Sequence, residues 1–172
     1  MLEHRAALAI AERKIRAVAP FDGWDNFIHV GMGPRQGENG ELVLALPLGG
    51  AKLPGIAGGD IGKVAHGIFR RGAETFGKYV GAAGDVLSGA EVATKMGQAL
   101  GRKVNFYDMP FEVYRGLGFP GADDLANMFQ FQALLGDEFL KRRDPVQTRT
   151  FGPDVQNFAA WLAANASRIP IG

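Results

Sequence analysis

A turn that leads into a helix near residue 120 constrains this chain more than any other segment. The turn reads Gly118-Phe119-Pro120-Gly121, and glycine and proline supply the backbone angles that tight turns need. Asp123 and Asp124 follow, in a first helical turn whose free amides favour negative charge. The pattern predicts a helix to about Leu135, with Phe131 on its flank and with Leu125, Met128, Phe129 and Gln132 on one side at helical spacing.

Length and composition indicate one ordinary globular domain over residues 1–172. Hydrophobic residues make up 47% of the chain and charged residues 22%, which is typical of folded proteins. The formal net charge is +1, so no overall field favours nucleic acid or an anionic membrane as a partner. The chain has no cysteine, which excludes disulfides, thiolate catalysis and thiolate metal sites.

The N-terminal region gives no targeting signal. Charged residues interrupt residues 1–20, so we expect no signal peptide there. No apolar segment approaches the roughly 18 residues that a membrane span requires. We therefore expect a cytoplasmic protein without a membrane partner.

Residue patterns predict alternating strands and helices. Strands are expected at Ile15–Ala19, Glu41–Leu46, Lys78–Leu87 and Lys103–Asp108. Lys52–Ala57 is expected to pair back with Glu41–Leu46 as a hairpin. Helices are expected over residues 3–14, from Gly58-Gly59-Asp60 onwards, from the Ser88–Glu91 capping box to Leu100, at Pro110–Arg115 and over Pro153–Ala164.

Several segments resemble the NmrA-like family of atypical short-chain dehydrogenase/reductases. The sequence GFPGADDLANMFQF resembles a signature near the C-terminus of that family, and the segments Arg16–Phe27, Glu41–Gly62 and Phe151–Ala166 resemble other family landmarks in the same order. The resemblance implies an α/β chain: the distal part of a Rossmann-like fold plus a small α+β C-terminal lobe. It also implies that the N-terminal dinucleotide-binding half is absent.

The nearest imitation of a pyrophosphate-binding loop lies at Gly31–Gly37. Dinucleotide folds place spaced glycines between a strand and a helix, so that the backbone and the helix amides approach the phosphates. Here the spacing is Gly-x-Gly-x-x-x-Gly, Pro34 intervenes and strand residues follow. A surface hairpin loop is the better interpretation.

The resemblance also identifies candidate cofactor contacts. Pro20, Phe21, Trp24 and Asn26 match the family segment that lines the nicotinamide end of the cleft. The alternative is that these aromatic side chains fill the core, as large aromatics usually do. No catalytic residue is expected, because reductases of this superfamily use a Tyr-x-x-x-Lys pair and the fourth residues after the three tyrosines are Ala83, Phe111 and Gly118.

Other polar residues have simpler explanations. His4, His29 and His66 lie far apart in the sequence, so no metal site is expected. Asp22 and Asp25 could form an acid/base pair, but turn capping is the more ordinary role. Asp60 is expected to cap the helix that follows it.

Two functional hypotheses follow from the resemblance, and a third, weaker one is a small-ligand pocket protein unconnected with nucleotides. The first is a non-catalytic redox-sensing, regulatory or binding module with weak or no dinucleotide affinity. The second is part of an NAD(P)H-dependent oxidoreductase for a quinone or small carbonyl compound, completed by an N-terminal half. NADP or NAD is the cofactor implied by the family. The expected partners are a dinucleotide or small-molecule ligand, a second copy of the chain or a complementing N-terminal half, with no direct nucleic-acid contact.

Overall fold

The strands of this protein are short and belong to small separate sheets. A computed structural model describes residues 16–17, 22–37 and 39–171. In chain order the strands are β1 (Arg16–Ala17), β2 (Asp22–Gly23), β3 (Arg35–Gln36), β4 (Leu42–Leu46), β5 (Leu53–Ile56), β6 (Tyr79–Val80), β7 (Asp85–Leu87) and β8 (Val104–Asp108). The predicted helix over residues 3–14 lies outside the described residues.

The helices are concentrated in the second half of the chain. They are α1 (Asn26–His29), α2 (Gly58–Arg70), α3 (Gly89–Leu100), α4 (Phe111–Arg115), α5 (Ala122–Leu135), α6 (Asp137–Lys141), α7 (Pro145–Phe151) and α8 (Phe158–Asn165), with short 3₁₀ turns at Gly72–Thr75 and Ala166–Arg168. Helices α6 and α7 were not predicted from the sequence. Within the described part of the chain, no helix is long and apolar enough to cross a membrane.

Strand pairing combines parallel and antiparallel ladders. β4 pairs in parallel with β8, in a register that sets Leu42 opposite Val104 and Leu46 opposite Asp108, and it pairs with β3 antiparallel. β5 pairs in parallel with β2 and antiparallel with β7, while β1 pairs in parallel with β6. The β3–β4 hairpin confirms that Gly31–Gly37 leads into a strand.

The expected hairpin between Lys52–Ala57 and Glu41–Leu46 is wrong. β4 already has β3 on one side and β8 on the other, so β5 pairs with β2 and β7 instead. The Asp108 carboxylate holds the turn between β4 and β5, accepting hydrogen bonds from the amides of Leu48 (2.8 Å), Gly49 (2.9 Å) and Gly50 (2.7 Å). A side chain 58–60 residues away thus decides the direction of the chain after β4.

The single strand expected over Lys78–Leu87 is divided into β6 and β7. Gly81 and Gly84 lie between them, and an added Cβ at either position would overlap the backbone oxygen of Arg142 or Gln156. Close backbone approach from the segments that connect the C-terminal helices therefore interrupts the strand.

The main core lies between β4 and the helices α3, α5 and α8. β4 alternates, with Leu42, Leu44 and Leu46 buried and Val43 and Ala45 only partly buried. The buried leucines join an aromatic cluster in which Trp24 and Phe27 meet Phe158 and Trp161 at ring-centroid distances of 5.2–6.5 Å. A smaller core forms around Ile56, Val64 and Ile68.

The capping box predicted at the start of α3 is confirmed. The Ser88 hydroxyl accepts from the Glu91 amide, the Glu91 carboxylate accepts from the Ser88 amide at 2.8 Å, and Gly101 ends the helix with a φ of 65°. The Ser88 amide and the Ser88 hydroxyl both donate to the Glu91 carboxylate, and these two hydrogen bonds lower the pKa of that carboxyl below its ordinary value.

The expected cap at Asp60 is wrong. Asp60 is buried within the first turn of α2, where its carboxylate accepts from the Gln156 amide at 2.8 Å and pairs with Lys63. The first amide of α2, that of Gly58, instead donates to the Asp25 carboxylate at 2.6 Å. Asp25 therefore caps a helix more than 30 residues away, and not its own turn as expected.

Candidate ligand-binding cavity

The residues predicted to line the nicotinamide end of a cleft lie in different surroundings. Pro20 and Phe21 lie outside the described residues. The Trp24 side chain is only 3% exposed, packed against Phe158 and Trp161 in the core. Asn26 is half-buried at the start of α1. The assignment of these four residues to a cofactor stays a prediction.

The segment that contains Trp24 and Asn26 continues into one wall of a cavity. The Asn26 carbonyl accepts from the amides of Val30 (3.1 Å) and Met32 (3.4 Å), which fixes the start of the loop over residues 30–37. This loop, the partly buried side of β4 and the α4–α5 pair enclose about 560 Å³. That volume is within the range of small-molecule sites in proteins, about 300–1,000 Å³. We refer to this space as the Tyr114 cavity.

Tyr114, from α4, is the most buried aromatic residue in the wall of the Tyr114 cavity. Its side chain is 6% exposed, and its ring makes edge contacts with Phe119 (5.6 Å between centroids) and Phe129 (6.2 Å). Burial raises the pKa of the Tyr114 phenol above its ordinary value, because the charged form loses hydration. Among the described residues, the Tyr114 hydroxyl has no hydrogen-bond partner.

A guanidinium group holds the α4–α5 wall of the cavity together. Arg115 donates to Glu112 on its own helix (2.6 Å) and to Asn127 (2.8 Å) and Gln130 (2.5 Å) on α5. Because one planar group bridges both helices, α4 and α5 are oriented relative to each other.

A second, larger groove of about 650 Å³ lies between β6 and the helices α5 to α7. Tyr79 and Phe131 lie in its wall and are 65% and 57% exposed. Arg142 and Arg143 supply positive charge at the same groove, and Arg143 lies 3.6 Å from the centre of the Phe139 ring. The groove therefore carries more charged side chains than the Tyr114 cavity, with Glu138 beside the two arginines.

The described residues contain no cluster of His, Asp and Glu side chains that could hold a metal ion. His29 and His66 are both exposed, and His4 lies outside the described residues.

From the sequence, Tyr114 was a candidate only for a catalytic pair, and the cavity was not predicted. The sequence did contain a signal for the cavity. Leu117 and Phe119 are large apolar residues within a glycine-rich turn, where polar residues are usual. They are 52% and 38% exposed and line the cavity.

Comparison with known protein families identifies the family of this chain. The NmrA-like family matches residues 22–162, which is most of the chain. This chain belongs to the NmrA-like family. The resemblance inferred from the GFPGA signature is therefore confirmed.

A curated NmrA-like relative is the NmrA-like family domain-containing oxidoreductase lnbB of Aspergillus flavus. It is 32% identical over 91 residues, which cover 53% of this chain and 27% of lnbB. The match thus spans about a quarter of that relative's length.

Solved structures confirm the expected α/β fold class with Rossmann-like, NmrA-type neighbours. NmrA, a negative transcriptional regulator in complex with NADP, has a TM-score of 0.55 at 15% identity, covering 77% of this chain and 44% of that chain. A nucleoside-diphosphate-sugar epimerase from Staphylococcus aureus has a TM-score of 0.57 at 19% identity, covering 70% and 43%. NmrA has also been solved with NAD. The chain therefore spans less than half the length of these solved relatives.

Proposed function

We propose that this NmrA-like chain is a non-catalytic regulatory or binding module with weak or no intrinsic affinity for a dinucleotide. Family membership makes NADP or NAD the dinucleotide to consider, and solved NmrA is described as a negative transcriptional regulator. The observation that supports this proposal concerns the glycine-rich segments of the described chain. Other parts of the protein fill the space around these segments and accept a hydrogen bond from an amide there.

The Gly31–Gly37 loop has little room for a diphosphate. An added Cβ at Gly33 would lie 2.9 Å from the Phe27 carbonyl oxygen and 3.0 Å from the Ile169 side chain. At Gly37, a Cβ would lie 2.5 Å from the Glu41 carboxylate. These glycines therefore allow close packing within the protein, and the element that follows them is the strand β4 rather than a helix whose amides could bind phosphate.

In the strand–turn–helix unit formed by β5 and α2, side chains of the protein also occupy the place that a pyrophosphate would take. Gly58 donates its amide to the Asp25 carboxylate at 2.6 Å, and an added Cβ at Gly55 would overlap the Trp24 indole. A carboxylate at the helix start repels a second anion there, so this glycine-rich turn is poorly suited to a pyrophosphate.

The chain also lacks the proton-transfer pair of the superfamily's reductases. No lysine stands four residues after Tyr79, Tyr107 or Tyr114. This favours a sensing or binding role over catalysis by the chain alone.

Titration of the purified 172-residue chain with NADPH tests the proposal. We expect no saturable change in nucleotide fluorescence at micromolar concentrations, with a dinucleotide-binding Rossmann protein as the positive control. Micromolar binding with a defined stoichiometry would contradict the proposal.

A second candidate is supported by the name of lnbB, an oxidoreductase. In this case the chain would be part of an NAD(P)H-dependent oxidoreductase, completed by an N-terminal half from a partner or from the same reading frame. The DNA immediately upstream discriminates the two: an in-frame or adjacent glycine-rich βαβ unit supports the enzyme, and unrelated sequence opposes it. The cytoplasmic location stays a prediction under either candidate.

A further inference from the structure

The groove of about 650 Å³ between β6 and the helices α5 to α7 has exposed apolar walls. We refer to it as the Arg142 groove. Tyr79, Phe131 and Leu135 line it, and all three are exposed although they are large and apolar. Leu134 and Val146, each next in the chain to a lining residue, are exposed as well. Exposed apolar side chains grouped in this way are typical of a surface that binds another molecule.

The exposure of the walls indicates that the occupant is larger than a small molecule. Small-molecule sites enclose roughly 70–90% of the surface of their ligand. Tyr79 and Phe131, in contrast, are each more than half exposed. A segment of another protein can cover these side chains and continue beyond the groove. Tyrosine, phenylalanine and arginine, which all line this groove, are also enriched where proteins bind each other.

The floor of the Arg142 groove is held in place by contacts within the protein. The buried Phe139 ring meets the Phe131 ring edge-on, with 6.4 Å between centroids, and the Arg143 Cζ atom lies 3.6 Å from its centre. An added Cβ at Gly81 would overlap the Arg142 carbonyl oxygen, so β6 and the end of α6 are in close contact. A surface that is formed before binding loses less conformational entropy when a partner arrives.

Positive charge is available on the α6–α7 side of the groove. Arg142 is exposed, and its guanidinium has no hydrogen bond or ion pair with another residue that the structure describes. Glu138, which also lines the groove, pairs with Lys141. The Asp144 carboxylate accepts from the Val146 amide at the start of α7, at 2.8 Å. Because these two carboxylates are engaged locally, Arg142 can donate to a carboxylate of a partner.

We propose that the Arg142 groove binds a segment of a partner protein that presents large apolar side chains flanked by aspartate or glutamate. The apolar side chains cover Phe131 and Leu135, and a carboxylate accepts from the Arg142 guanidinium. The groove includes neither Gly31–Gly37 nor the turn between β5 and α2. The inference therefore goes beyond the proposed function and does not depend on whether the chain binds a dinucleotide.

Fluorescence anisotropy with labelled synthetic peptides tests the proposal on the 172-residue chain. The probe is a dodecapeptide of leucine, phenylalanine, glutamate and aspartate, with the apolar residues at helical spacing. One control peptide has lysine at every acidic position, and the other has alanine at every apolar position. We expect saturable binding of the probe, at least about tenfold tighter than that of either control. Its affinity should fall as the salt concentration rises, because exposed charges are screened.

Charge reversal at Arg142 tests the electrostatic part of the proposal. Arg142→Glu should weaken binding of the acidic probe at least about fivefold and reduce its salt dependence. Arg70→Glu is the matched control, since Arg70 is exposed on α2, lies outside the groove lining and has no side-chain partner among the described residues. It should change binding by less than about twofold. Loss of binding in Arg70→Glu but not in Arg142→Glu would place the probe on α2 and overturn the proposal.

Removal of one aromatic ring tests the apolar part. Phe131→Ala should weaken binding of the probe roughly tenfold and leave its salt dependence unchanged. Phe69→Ala is the matched control, because Phe69 on α2 is 64% exposed and lies outside the groove lining. Circular dichroism reports whether each variant folds; if Phe131→Ala does not, Arg142→Glu and Arg70→Glu still decide.

Three further results would overturn the proposal. The first is the absence of saturable binding of the acidic probe. The second is equal binding of the probe and either control peptide, since it would show that the carboxylates or the apolar side chains do not contribute. The third is self-association of the chain, measured by sedimentation velocity, that Phe131→Ala abolishes, because it would assign the groove to a second copy of the chain.

Discussion

At the scale of single residues, Asp108 shows how one carboxylate organises a turn. Its oxygens accept from three consecutive amides, at Leu48, Gly49 and Gly50, directly after β4. Consecutive amides that converge in this way form a concave anion site, which the protein fills with its own side chain. Asp108 thus connects the end of β8 to the turn after β4.

We expect Asp108→Ala to lower the free energy of unfolding by about 2 kcal/mol, because hydrogen bonds to a charged acceptor are lost. Urea denaturation followed by circular dichroism measures this change. Asp154→Ala is the control, since Asp154 is exposed and its carboxylate has no hydrogen bond or ion pair among the described residues. Equal effects of the two substitutions would contradict the role assigned to Asp108.

The raised pKa of Tyr114 predicts that the free energy of unfolding depends on pH in the alkaline range. Its pKa in the folded protein is raised above the ordinary value of 10.0 by burial. The folded state therefore holds the proton more tightly than the unfolded state, so this contribution is complete below pH 10 and is lost as pH rises through the folded pKa. Tyr114→Phe should lose less stability than wild type between pH 9 and 11, as measured by urea denaturation at each pH. Parallel pH profiles for the two proteins would show that Tyr114 does not contribute.

At the scale of elements, the close packing of helix α2 against α7 depends on which glycine lies at the contact. An added Cβ at Gly67 would overlap the backbone oxygen of Phe151 at the end of α7, whereas one at Gly62 meets nothing within 4 Å. The same residue type on the same helix therefore serves close packing at one position and not at the other.

We expect Gly67→Ala to destabilise the protein by about 2–3 kcal/mol through overpacking between α2 and α7. Gly62→Ala should be neutral or stabilising by up to about 1 kcal/mol, because alanine is the better helix former. Thermal unfolding of both variants measures the contrast. A destabilised Gly62→Ala with an unaffected Gly67→Ala would show that the helix packs differently.

Elements with local signals were predictable from the sequence. The turn and the two aspartates located α5 at Ala122–Leu135, and Ser88 with Glu91 located the start of α3. The partners of β5 were not predictable, because Asp108 and the occupied sides of β4 belong to distant segments. Likewise, local spacing assigned Asp60 to a cap, while the actual cap of α2 is Asp25.

At the scale of the whole molecule, one aromatic cluster joins distant parts of the chain. Phe158, from α8, is fully buried against Trp24, Phe27 and Trp161, and the same core includes the leucines of β4 and Phe129 of α5. A core that spans these elements favours the single domain expected from chain length.

We expect the chain to unfold in one cooperative step. Tryptophan fluorescence, which reports on Trp24 and Trp161, and far-ultraviolet circular dichroism should give coincident urea transitions. Phe158→Ala should shift both by about 3–5 kcal/mol, because it leaves a cavity where a whole ring was buried. Two separated transitions would show that the segments around Trp24 and α8 fold independently of the rest.

The sequence by itself showed the resemblance to the NmrA-like family and the α/β class that it implies, both of which the comparisons confirm. It also located the starts of α3 and α5, because turns and caps act over a few residues. The Tyr114 cavity could not be predicted from local sequence patterns. Its walls come from the loop over residues 30–37, from β4 and from α4–α5, and they meet only because the chain returns across β4 and β8. The burial of the Tyr114 side chain is likewise a property of that assembly, since desolvation depends on which distant side chains surround a group.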